Sequence, residues 1–133
     1  MKKSLLLNAL LAFTLVSCAC HNKHASSYSA LMLVRNNTDK KASCSFKSLK
    51  GTIVFHIKYK ANESLVYTCS IDDGKVTVYY DTENGDKTEL FTATPEEKIN
   101  DSITMEKDEY LYILFVTDGE CKSGSFSIEA KTL

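Results

Sequence analysis

Ser64-Leu65-Val66-Tyr67-Thr68-Cys69-Ser70-Ile71-Asp72-Asp73-Gly74-Lys75-Val76-Thr77-Val78-Tyr79-Tyr80-Asp81 alternates apolar and polar side chains on both sides of a turn signal. Leu65, Tyr67, Cys69 and Ile71 fall on one face, against Ser64, Thr68, Ser70 and Asp72. Beyond Asp73-Gly74, Val76, Val78 and Tyr80 face inward and Thr77 and Tyr79 outward. A period of two marks strands with one buried face. Asp-Gly between two such runs predicts a two-residue hairpin.

The same pattern extends in both directions. Upstream, Ile53, Phe55, Ile57 and Tyr59 share a face opposite Thr52, His56 and Lys58. Gly51 separates that run from Cys44–Leu49, where Cys44 and Phe46 point together. Leu31 to Val34 reads as an edge strand, with a helical turn as the alternative, stopped by the polar Arg35-Asn36-Asn37-Thr38-Asp39. Downstream, Asn84-Gly85 predicts a second tight turn into Thr88–Thr92, and Pro95-Glu96-Glu97 a connection with one helical turn. Residues 109–117 are apolar on both faces and predict a central strand. Asp118-Gly119 predicts a turn before a last strand, 124–129, with Phe126 and Ile128 inward. About eight short strands with turns every ten residues or so predict an all-β chain, an antiparallel sandwich or barrel.

One resemblance narrows this. The run Ile103–Ile113, the Asp118-Gly119 pair and Ser123-Gly124-Ser125-Phe126-Ser127-Ile128 resemble the end of the bacterial pre-peptidase C-terminal type of jelly-roll module. Gly51–Tyr59 resembles that module's early strand, so the likeness covers roughly residues 45–130. It implies a jelly-roll-like sandwich. Asp108-Glu109 stand where the family usually has glycine, and the cysteines lie outside its pattern.

The N-terminus reads as an export segment. Lys2 and Lys3 precede an apolar run from Leu5 to Val16, long enough for a signal peptide and short of the ~20 residues that span a bilayer. It closes on Leu15-Val16-Ser17-Cys18, which resembles the lipobox of bacterial lipoproteins. The resemblance implies cleavage before Cys18, lipid on Cys18, and a place in the cell envelope outside the cytoplasm, with membrane lipid as a partner. Ser17 and Ala19 also suit cleavage after Ala19, the secreted alternative. The sequons at Asn36, Asn62 and Asn100 belong to that alternative. The expected organisation is a signal peptide (1–17), a lipidated cysteine and tether (18–27), and one β-sandwich domain (28–131).

The chain of 133 residues has formal charge −1; without residues 1–17 and their two lysines it keeps 116 residues and a charge of −3. One domain is the expected content, and nucleic acid is an unsuitable partner for a mildly acidic chain. Besides Cys18, four cysteines remain: Cys20, Cys44, Cys69 and Cys121. Export makes them disulfide candidates, with Cys44–Cys121 the preferred bridge. In the alternative one pair bonds and the others stay thiols.

Of reactive motifs the chain is poor. It lacks Gly-x-Ser-x-Gly, Ser-x-x-Lys, Cys-x-x-Cys, His-Glu-x-x-His, and P-loop or dinucleotide glycine patterns, so no cofactor is expected. Cys20, His21 and His24 are soft metal ligands close together, without a fourth at zinc-like spacing. His56 is the one histidine downstream of the tether, placed by parity on the solvent face; a triad would have to use it. Asp81, Glu83, Asn84 and Asp86 cluster in one turn and Asp72-Asp73 in another, which suits either calcium or ordinary turn chemistry. Tyr79 points outward beside Thr77, and Tyr110 or Leu111 must leave the core. The expected function is a non-catalytic binding module that contacts a protein or glycan through loops 81–87 and 93–101 or an outward tyrosine. The alternatives are metal handling by Cys20, His21 and His24, or a small hydrolase built on His56.

Overall fold

The computed structural model describes residues 24–82 and 86–133. The signal segment, Cys18, Cys20, His21, Glu83 and Asn84 lie outside the described residues. Those described form β1 (Ser27–Leu31), β2 (Val34–Asn37), β3 (Lys41–Tyr59), β4 (Ser64–Ser70), β5 (Val76–Asp81), β6 (Thr88–Ala93), β7 (Ile99–Ile103) and β8 (Glu109–Lys131), with no helix among them. Every pairing is antiparallel.

Two long strands organise the rest. β3 and β8 pair from Lys41↔Glu129 to Tyr59↔Glu109, with one irregularity between Lys50 and Thr52. There Gly51, at φ 127°, faces the three residues Thr117–Gly119. The Thr117 hydroxyl accepts the Gly51 N–H at 2.8 Å and donates to its carbonyl at 3.3 Å. A Cβ on residue 51 would stand 2.3 Å from the Ser27 carbonyl oxygen, so only glycine fits this corner.

At the corner the sheet folds over itself. One layer holds residues 41–50 of β3, 121–131 of β8, β4 and β7. The other holds residues 52–59 of β3, 109–117 of β8, β5 and β6. Rings meet between the layers: Phe46 on Phe115 (6.1 Å), Phe55 on Phe126 (6.0 Å), and Tyr67 stacked on Phe91 (5.2 Å). The chain changes layer within β3, from β3 to β4, from β4 to β5, from β6 to β7, from β7 to β8 and within β8. Two layers connected in this way, with β1 and β2 along the edge of β3, make an antiparallel jelly-roll sandwich. The alternating sets from the sequence line its core: Ile53, Phe55, Ile57, Tyr59, Leu65, Tyr67, Cys69, Ile71, Val76 and Val78 are all buried.

Four expectations are corrected. β4 and β5 form no hairpin: β4 pairs with β7 and β8, and β5 with β6 and β8. Asp73-Gly74 instead carries the chain between layers against the bend of β8, where Lys122 donates to the Asp73 carbonyl at 3.0 Å. Asp118-Gly119 is a bend inside β8, not a turn between strands. Leu31 to Val34 is not one strand: Leu31 ends β1 and Val34 begins β2, with the break at Met32-Leu33, and the two strands keep one register along β3. Residues 95–97 form a plain turn closed by the Glu97 N–H on the Thr94 carbonyl.

The preferred Cys44–Cys121 bridge is not formed: Cys44, Cys69 and Cys121 are buried free thiols, and the fourth candidate, Cys20, lies outside the described residues. Cys44 pairs with Phe126 while Cys121 pairs with Leu49, five residues and roughly 16 Å along the same two strands. Cys44 and Cys69 flank Phe126 from opposite sides, two strand spacings or ~9.6 Å apart. Both separations exceed the ~7 Å that a bridge tolerates.

One edge of the second layer is sealed by side chains. Along residues 54–58 of β3, the Val54 N–H donates to Ser26 Oγ (2.8 Å) and its carbonyl accepts from Arg35 (3.1 Å). Asn37 takes the His56 N–H on Oδ1 (2.9 Å) and donates from Nδ2 to the His56 carbonyl (2.7 Å). The Lys58 N–H donates to the Asp39 carbonyl (2.7 Å), and Lys40 donates to the Lys58 carbonyl (2.8 Å). Lys40 also meets Glu63 at 2.7 Å, and that hydrogen bond is the main cause holding the Glu63 carboxyl below the usual range. These side chains stand where a further strand would pair, which blocks edge-to-edge association.

Candidate functional site

The alternation that buries Leu111, Ile113 and Phe115 turns Tyr110, Tyr112, Leu114 and Val116 to the outer face of the second layer. Register then sets their neighbours. Tyr112 lies between His56 on β3 and Asp81 on β5, and Leu114 between Val54 and Tyr79. Tyr110 stacks on His56 (5.6 Å between centroids, 12° between planes) and meets Tyr112 edge-on (5.4 Å, 73°).

Two of these rings carry a cover. The His24 imidazole lies flat on Tyr112, 3.8 Å between centroids and 6° between planes. Its Nε2 is 3.1 Å from Asp81 Oδ2, and Asp81 is only 2 % exposed. Lys87 Nζ sits 4.4 Å above the centre of the Tyr79 ring. Beside this pair Asp81, Asp86, Lys87 and Leu114 line a recess of about 340 Å³.

Tyr110 differs: with Lys58, Tyr59, Lys60, Asp108 and Glu109 it lines a groove of about 270 Å³. Its floor is held by the Tyr59 hydroxyl, which accepts the Met105 N–H at 2.8 Å and donates to the Glu63 carbonyl. Asp108 accepts the Ala61 N–H at 2.9 Å, and that bond leads the causes keeping its carboxyl below the usual range. At Glu109 this groove meets a larger one of about 670 Å³ between the ends of the layers, walled by Tyr80, Met105 and Leu111. A half-buried ring ringed by ammonium and carboxylate groups can stack on the apolar face of a sugar and hydrogen-bond its hydroxyls.

His56 Nδ1 is buried with no hydrogen-bond partner. His24 and Asp81 have the spacing of a base and its orienting carboxylate, yet no serine, threonine or cysteine among the described residues is hydrogen-bonded to His24. Nor, among the described residues, do three His, Cys, Asp or Glu side chains gather to hold a metal ion.

Of the residues singled out in the sequence, Tyr79, Asp81 and Asp86 do come together on this face, joined by Tyr110, His56 and His24. Asp81 is not an open turn residue: it ends β5 and is buried under His24. Asp72 and Asp73 lie at the other end, against Lys122. Sequence reasoning passed over Tyr112, Lys58, Lys60 and Lys87; the parity of residues 109–117 was the available signal for Tyr112.

No protein-family model matches the chain, and no curated protein matches it. Solved structures of family 29 carbohydrate binding modules do match. One mutant complexed with mannohexaose gives a TM-score of 0.41 at 16% identity, covering 80% of this chain and 82% of that one. Another, complexed with cellulohexaose, gives 0.41 at 13% identity, covering 80% and 90%. A third mutant gives 0.42 at 14% identity, covering 80% and 93%. The outer face of the second layer, rather than this likeness, carries the functional reading.

Proposed function

We propose that this chain is a small envelope-anchored lipoprotein whose jelly-roll domain is a non-catalytic glycan-binding module. The carrying observation is Tyr110: a half-buried ring on an outward strand face, opening on a groove bordered by Lys58, Lys60, Asp108 and Glu109. Aromatic stacking supplies affinity there, and the charged rim selects hydroxyl positions.

The anchor half of the proposal rests on Leu15-Val16-Ser17-Cys18. Two or three acyl chains on Cys18, at ~0.8 kcal/mol for each buried methylene, hold a small domain firmly. Cys18→Ser should shift the protein to the soluble fraction or leave an uncleaved precursor. A variant that is still lipid-labelled and membrane-bound contradicts the anchor.

The binding half is tested by probing a glycan array with the full chain and with Tyr110→Ala. The reading expects a defined set of glycans retained by the first and lost by the second. An array with no retained glycan, or one on which both bind alike, removes it.

A further inference from the structure

The edge strand formed by β1 and β2 is interrupted at Met32, where φ is +52°. Around the break, Leu31 is 62 % exposed, Met32 77 % and Val34 59 %. Tyr28 precedes Leu31 on β1, so the large exposed apolar side chains among the described residues all lie on this edge except Leu133. A break in a strand ordinarily selects Gly, Asn, Asp or Ser. A left-handed methionine between two exposed aliphatics is costly in water, and its position needs another reason.

The surroundings of this corner are basic. Lys50 pairs with Ser29, and Lys47 adjoins Ser48, the partner of Leu31. Arg35 on β2 is turned away from the corner, over the Phe55 ring at 5.1 Å and onto the Val54 carbonyl at 3.1 Å, which leaves Lys47 and Lys50 as the corner's cations. From Ser27 to Thr52 the one acidic residue is Asp39, beyond the far end of β2 and 3.5 Å from Lys58. Glu120, opposite Lys50, is offset by Lys122 at 3.9 Å. Three projecting side chains fall far short of the ~800 Å² per partner of a standard protein interface. They suit insertion between lipid headgroups, where a few apolar side chains and a basic rim act together.

We infer that the Leu31–Val34 corner is a membrane-contact point that dips into an anionic lipid surface, with Lys47 and Lys50 on the headgroups. This contact is separate from the lipid on Cys18. It sits on the first strand after the tether and orients the domain on the surface, so that the outer face of the second layer is presented in a fixed direction.

The chain has no tryptophan, so Met32→Trp in the full chain is a unique reporter. On phosphatidylglycerol-containing vesicles with brominated acyl chains its emission should shift to the blue and be quenched. Thr68→Trp, on β4 away from the corner, should stay unshifted and unquenched. Reversing charge with Lys47→Glu and Lys50→Glu should lower the quenching by at least about half. An unshifted Met32→Trp signal on these vesicles overturns the inference. So does a blue shift without bromine quenching, which means burial against protein or a second copy. Equal quenching at residues 32 and 68 overturns it as well, since it means that the anchor alone brings the whole domain to the lipid.

Discussion

His24 does more than connect. Its ring rests on Tyr112 and its Nε2 on Asp81, so a residue of the expected tether is part of the domain surface. Such a stacked pair contributes about 1 kcal/mol. His24→Ala should therefore lower stability by about 1 kcal/mol in urea unfolding, and should raise the modification of Tyr112 by tetranitromethane. Unchanged stability and unchanged nitration would mean that the stack contributes nothing. The thiols are a different case, of residues held neutral by burial. Burial pushes Cys44 and Cys69 from 9.0 up to about 12, and in Cys44 it outweighs the pull of Arg35. The unfolded chain loses these protons first. The stabilisation from keeping them neutral is complete below pH 9.0 and is lost as pH rises towards 12. Iodoacetamide at pH 8 should leave Cys44, Cys69 and Cys121 unmodified in the folded protein and label all three in urea, as mass spectrometry would read. Labelling of the folded protein would show that the core opens.

At the scale of elements, the sealed edge of β3 is where sequence and assembly meet. Asn37 replaces a neighbouring strand for His56 by giving one donor and one acceptor. Asn37→Val keeps the β2 register but withdraws both. The cost should be about 1–3 kcal/mol, and the uncovered edge should raise self-association in sedimentation velocity. A variant that is as stable and as monomeric as the parent would show that Asn37 is ornamental. β8 teaches a related lesson. Asp118-Gly119 and Asp73-Gly74 are both genuine turn signals, and both are used for corners rather than hairpins. A two-residue signal fixes local backbone and says nothing of which strand lies alongside. That choice was made by β8, which bends at Gly119 and so serves as neighbour to β4 and β5 at once.

At the scale of the whole molecule, the inward and outward sets were legible because a period of two reports burial directly. Layer assignment was not, because it depends on where β3 and β8 fold over, and Gly51 read as a break in the strand. The same gap explains the failed Cys44–Cys121 bridge: both residues do face the core, but their register places them far apart along β3 and β8. On the candidate site, Tyr79, Asp81 and Tyr110 could be named singly, while the meeting of His24 with Asp81 joins residues 57 positions apart and needed the fold. The central claim is that this fold presents Tyr110 to a glycan. Isothermal titration of the best glycan from the array into the full chain, Tyr110→Ala and Thr68→Ala tests it most directly. The account predicts at least about a tenfold loss of affinity, or ~1.4 kcal/mol, for Tyr110→Ala, with Thr68→Ala, on the other layer, unchanged. Equal affinity of the parent and Tyr110→Ala, or a loss confined to Thr68→Ala, would contradict it.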